Sequence, residues 1–103
     1  MGKEELTSNY KVAIADTSTL ISQECFQQRS AVIITNTSTA GQVIYIAVGQ
    51  EAKVGEGIPL SVGGVYQDTM DAGYKPSNKQ IQAISSAVGG LVSVHERIIV
   101  NTY

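Results

Sequence analysis

This sequence predicts a small antiparallel β-sandwich, jelly-roll-like or Ig-like, with about seven to eight short strands. Three observations predict it. About thirty of the 103 residues are Val, Ile or Thr, types that fit a pleated, half-buried surface. Clusters of Gly, Pro, Asn, Asp and Ser recur about every ten residues, the spacing of turns between short strands. No segment places apolar residues at i, i+3, i+4 and i+7, as an amphipathic helix would.

Met1 to Asn9 is polar and charged without a clear period. It reads as a flexible arm, leaving residues 10–103 as one sandwich domain. Tyr10 to Ala15 alternates cleanly and predicts a half-buried strand. Asp16-Thr17-Ser18 breaks it, and Thr19 to Ser22 is a second short strand. Gln23 to Arg29 reads as a loop that tucks Phe26 into the core, with Cys25 beside it as a buried small hydrophobe. Ala31 to Ile34 and Gln42 to Val48 are apolar on both faces. With the turn formers Asn36 to Gly41 between them, they read as a central antiparallel hairpin. Its outer face would be covered by a neighbouring subunit.

Ile58-Pro59-Leu60 holds a proline, which cannot donate to a ladder, so it belongs at a sheet edge. Gly55-Glu56-Gly57 and Gly63-Gly64 mark turns, and Val65 to Thr69 a strand between breakers. Asp71 to Asn78 is a long loop. Ile81 to Ser85 resumes strand character, and Val88-Gly89-Gly90-Leu91 closes a hairpin into the last strand, Leu91 to Val100. In that strand Val92, Val94, Glu96, Ile98 and Val100 share a face. A charge amid apolar residues predicts a bulge or a change of environment around Glu96. The expected core is Val32, Ile34, Ile44, Ile46, Ile84, Val92 and Val94.

Net charge is −2 and the Lys and Arg residues are scattered singly, which disfavours nucleic-acid binding. No apolar run approaches the roughly 18 residues of a spanning helix, and the start lacks the apolar core of a signal peptide. The expectation is a protein made in a cytoplasm that stays where it assembles. Charged residues are only 16% of the chain, against about 25% in ordinary soluble domains. Such a surface fits either a neutral, polar-coated monomer or extensive contact with other protein.

No catalytic, cofactor or metal site is expected. His95 is the only histidine, and no nucleophile-elbow context accompanies it. It reads as a surface or hydrogen-bonded strand residue beside Glu96. One His and one Cys do not make a zinc site, and the carboxylates lack calcium-loop spacing. The lone Cys25 excludes an intrachain disulfide. Asn36-Thr37-Ser38 matches a glycosylation acceptor at the expected hairpin tip and is read as chance. Five tyrosines leave a carbohydrate-binding or adhesive module as the alternative function.

The order of segments carries a resemblance. RSAVIITNTS, VIYIAVGQEA, GEGIPLSVGG and IQAISSAVGGLVSVHERI follow a pattern of the form R..l.I.N.s...iYi..G, G..L.pGg and i.AIss..g..v.v.E. This resembles small virion-associated proteins of bacteriophages and archaeal viruses, over about Val12 to Ile98. Val62 departs from the pattern's proline. The resemblance implies a non-enzymatic β-sandwich that decorates, cements or caps a capsid or forms a spike or fibre base, located in the virion. Its partners would be the major capsid protein or other virion proteins. The low charge, the double-faced apolar strands and the apolar Ile98-Ile99-Val100 tail predict further copies of itself as partners, in a trimer or pentamer that meets through the N-terminal arm or the C-terminal strand. Asp71 to Asn78 and Asn36 to Gly41 are the expected contact loops.

Overall fold

The computed structural model describes residues 2–70 and 75–102, with side chains to residue 101. They form eight strands: β1 (Gly2–Ile14), β2 (Thr19–Ser22), β3 (Gln28–Asn36), β4 (Ile44–Val48), β5 (Ile58–Leu60), β6 (Val65–Thr69), β7 (Ile81–Ser85) and β8 (Gly90–Thr102). Two four-stranded sheets result, ordered β1-β8-β3-β6 and β2-β7-β4-β5, with every pairing antiparallel. Eight strands shared between two sheets in this order, with β4–β5 the one consecutive pair within a sheet, make a jelly roll, so the jelly-roll alternative, rather than the Ig-like one, describes the chain.

The core lies between the sheets. Ile14, Val32, Ile34, Val92 and Val94 from the first sheet meet Ile21, Ile44, Ile46, Leu60, Ile81 and Ala83 from the second. All seven expected core residues are buried. Ile84, however, faces the other side of its sheet, where it packs with Ala47, Ala52 and Tyr45. Ala52 belongs to the loop between β4 and β5, so the chain itself covers part of the outer side of the second sheet.

Two expected hairpins are instead crossings between sheets. β3 and β4 lie in different sheets, as do β7 and β8. Both β3 and β4 are interior strands, as their two-sided apolar pattern required. Turn residues reverse a chain equally well within a sheet or across the sandwich. What decides here is Asn36 at the end of β3. Its Nδ2 donates to the carbonyls of Gln42 and Leu60, both at 2.8 Å, and its Oδ1 accepts from the Ser38 amide. The buried amide thereby ties the crossing to the second sheet. Asn36 is 1% exposed, so the acceptor sequence does not sit at an exposed tip.

Residues 2–9, read as an arm, are the outer part of β1. They pair without a break to β8, from Gly2 opposite Thr102 to Asn9 opposite His95. The thirteen-residue β1–β8 ribbon spans about 43 Å at the usual rise, which sets the 47 Å long axis of a molecule 22 Å across. The strands of the second sheet have three to five residues. They cover only the inner half of the ribbon. Loop 71–78 is described only from Lys75 onward, so the expectation for 71–74 lies outside the described residues.

Gly57 shows why one turn needs its glycine. Its φ is +88°, and a Cβ there would collide with the Ile46 carbonyl oxygen.

Candidate functional site

The most elaborate polar arrangement sits where the second sheet stops, at the midpoint of the ribbon. It begins with a bulge. The β3–β8 register shifts between Arg29, opposite Ile98, and Ala31, opposite Arg97. The extra residue, Ser30, resets the alternation, so that Arg29 points inward alongside Val32 and Ile34. The irregularity expected near Glu96 thus belongs to the partner strand. The change of environment is at Glu96 itself, which is 7% exposed and faces Arg29.

Arg29 Nε donates to Glu96 Oε2 at 2.8 Å, with the two side chains 1% and 9% exposed. Nη1 donates to the carbonyls of Ser77 and Lys79, and Nη2 to Ser22 Oγ and the Gln23 carbonyl. All five guanidinium N–H groups are accounted for. Glu96 Oε2 also accepts from Ser22 Oγ at 2.7 Å, and Oε1 from the Tyr10 hydroxyl at 3.2 Å. One cation therefore joins β2, β3, β8 and loop 76–80. This satisfies the condition under which a buried charge is tolerated, namely pairing with every donor engaged.

The Tyr10 hydroxyl is pushed from 10.0 up to about 12, first by burial and then by the neighbouring Glu96 carboxylate. At neutral pH it stays protonated and donates to Glu96. Chemically the cluster is suited to holding strands in place: its one carboxylate is locked in an ion pair and its phenol is a poor base.

A cavity of about 360 Å³ opens beside it, lined by Tyr10, Ile21, Cys25, Phe26, Glu96 and Ile98 among others. Two expectations are corrected here. Phe26 is 95% exposed, because the core ends before loop 23–27, and Cys25 is half-buried where a buried position was expected. His95 lies at the surface of the first sheet. Its Nδ1 contacts Asn9 Oδ1 at 2.6 Å, and its Nε2 lies 2.9 Å from Arg97 Nε, which donates to it. Those partners fix the tautomer with the proton on Nδ1. The structure does not bring His95 and Cys25 together: His95 occupies the outer face and Cys25 the cavity on the inner one. Among the described residues no group of three or more His, Cys, Asp or Glu is placed to hold a metal, and no helix is long and apolar enough to cross a membrane. Of the described tyrosines, Tyr45 and Tyr66 pack against buried clusters and Tyr10 joins the polar one, so these three build no exposed aromatic platform.

Sequence reasoning missed Arg29 and Asn36 as buried polar pins. The signal was present for Glu96, a charge at an inward position of an alternating strand. For Arg29 it was hidden by the bulge, which puts the residue out of phase with its strand.

No family model matches the chain, and no curated protein matches it. Among solved structures, a chain of the disulfide-linked pili that form Bacillus endospore appendages matches with a TM-score of 0.62 and 13% sequence identity, over 97% of this chain and 90% of that one. At that identity the likeness establishes a shared fold: the chain is a small all-β sandwich.

Proposed function

We propose that this chain is a non-enzymatic structural subunit that contributes a rigid β-sandwich block to a larger protein assembly. One observation carries the reading: half of the β1–β8 ribbon extends beyond the second sheet, and among the described residues nothing covers its strand edge or its apolar-bearing face. On that face Leu6 is 49% exposed, and Ile98 and Val100 are half-buried. Surfaces of this kind are what protein partners cover.

The assembly is a virus particle, with the chain decorating, cementing or capping the shell or serving at a spike base. The order of sequence segments supports this, as does the jelly-roll topology, which capsid proteins use. Fold alone does not assign function, so the segment order bears the weight. The second reading is a subunit of a surface appendage, favoured by the fold likeness to the pilus chain. That relative is disulfide-linked. Cys25 is the sequence's one cysteine and is a free thiol; one thiol forms at most one disulfide, so a continuous chain of disulfides does not follow from this sequence.

Mass spectrometry of purified particles and of sheared surface appendages from the producing cells tests both. Presence in virions in stoichiometric amount supports the first reading, and presence in appendages the second. Absence from both overturns the proposal.

A further inference from the structure

The four sheet edges of this sandwich are unequal. β5 has three residues, one of them Pro59. β2 has four residues and an irregular register between Leu20 and Ser22. β6 has five residues. Short strands, prolines, bulges and charged side chains are the usual protections of an edge. β1 lacks the first three: it is thirteen residues long, holds no proline and pairs with β8 without a register shift, and among the described residues no strand lies on its other side; its charges are Lys3, Glu4, Glu5 and Lys11.

We propose that two copies of this chain join through β1, antiparallel and two-fold symmetric, with Ser8 opposite Ser8. The proposal rests on the reading of the chain as an assembling structural subunit and specifies one of its contacts.

The register follows from three requirements. Opposed residues of an antiparallel pair project to the same face, so residues of even number must meet even and odd must meet odd. Pairing over the described strand, Gly2–Ile14, places Gly2 opposite Ile14 and centres the two-fold on Ser8. That same register sets Glu5 opposite Lys11, twice, on the outer face, where Glu5 Oε2 accepts from the Ser30 hydroxyl at 2.9 Å within its own chain and Oε1 is left to face the lysine. On the inner face it sets Leu6 opposite Tyr10 and Glu4 opposite Val12, each twice. A slip of two residues in one direction brings Lys3 opposite Lys11, two like charges. Full overlap and charge complementarity therefore select one alignment.

The shape agrees. The second sheet stands over the Tyr10–Ile14 half of β1 only. In the antiparallel pair that half of one copy lies beside the bare Gly2–Ser8 half of the other. Leu6, exposed in the single chain, is then flanked by the partner copy's covered half. The product is one continuous eight-stranded sheet carrying a second-sheet block at each diagonal corner. It is closed by its own two-fold, and so differs from a ring of three or five.

Cysteine cross-linking of the full chain tests this, in a Cys25→Ser background. Directly opposed residues are about 4.5–5.5 Å apart at Cα, within disulfide reach. Ser8→Cys is expected to give a covalent dimer under mild oxidation. Lys3→Cys places its two thiols about 33 Å apart and is expected to stay uncrosslinked. By sedimentation equilibrium, Lys11→Glu and Glu5→Lys are each expected to weaken the dimer about tenfold, and the double exchange to restore it. Cross-linking of Lys3→Cys as readily as Ser8→Cys, or no response to the charge changes in a chain that still self-associates, overturns this contact while leaving the structural role in place. A monomer at all concentrations also overturns it. Loss of the role itself is read separately, from the absence of the chain in particles and appendages.

Discussion

The two halves of the β1–β8 ribbon are made of the same strands and have opposite fates. From Tyr10 to Ile14 and from Gly90 to Glu96, the inward positions lie under the second sheet, half-buried at Tyr10 and Val12 and buried at Ile14, Val92, Val94 and Glu96. From Gly2 to Asn9 every β1 residue is exposed, although the alternation continues through Leu6, Ile98 and Val100. The boundary is the Arg29–Glu96 pair. A strand's pattern states which face is apolar; how far that face is covered depends on the length of the opposite sheet, here three to five residues per strand. The pin closes the end of the core with a charge pair whose groups are all engaged, where an apolar residue would leave the Ser22 hydroxyl and the carbonyls of loop 76–80 unpaired.

That contrast orders the expected effects of substitution. Arg29→Ala removes one partner of a buried pair and strands Glu96, a change that costs about 3–5 kcal/mol. Replacing both, as Arg29→Met with Glu96→Leu, should cost well below the sum of the single changes, since no unpaired charge remains. Urea denaturation of Arg29→Ala, of the single changes Arg29→Met and Glu96→Leu, and of their combination checks both statements. Equal costs for the pair and for Arg29→Ala would show that the loop carbonyls, rather than the carboxylate, dominate.

Across the boundary the effect of deleting an apolar side chain should collapse. Ile46 is fully buried, and Ile46→Ala should cost about 2–5 kcal/mol. Leu6→Ala, on the bare half, should lie within about 0.5 kcal/mol of wild type in dilute solution. The same denaturation midpoints decide it, measured below the concentration at which chains associate. A large cost at Leu6 would mean that the outer half is packed in solution. Asn36→Ala falls between the two, at about 1–3 kcal/mol, because two buried carbonyls lose their donor.

The alternation of Val32, Ile34, Val92 and Val94 made the strands and the core legible from sequence, and Pro59 located an edge. What stayed hidden was long-range. The turn formers after Asn36 and around Gly89 are compatible with a hairpin or a crossing, and only the second sheet's position separates the two. Residues 2–9 look irregular alone because their order comes from β8, some ninety residues away by register. Phe26 was expected inside because aromatic residues usually are, but loop 23–27 lies past the end of the second sheet, where no layer covers it. The Arg29 pin was illegible for a sharper reason: one extra residue at Ser30 inverts the parity on which the reading depends.

The smallest effect is also the most specific to the boundary. The Tyr10 hydroxyl donates to Glu96, and its folded pKa stands at about 12 against 10.0 unperturbed. A tyrosine that holds its proton more tightly when folded contributes stability that is complete below the unfolded value. As pH rises past about 10 the unfolded chain releases this proton and the folded chain does not, so unfolding is favoured increasingly until the folded group also ionises near 12. The expectation is an alkaline loss of stability confined to that window. Lysines titrate there too, so the measurement is the difference between wild type and Tyr10→Phe, followed by urea midpoints across the window. Tyr10→Phe should start slightly less stable, for want of the hydrogen bond to Glu96, and should lose less as pH rises. Because Tyr10 is only partly buried, solvent screens the effect, and the two curves should approach one another without a large gap at either end. Parallel curves would show that the hydroxyl is open to water in solution, and would move the end of the closed core inward from Tyr10 to Val12.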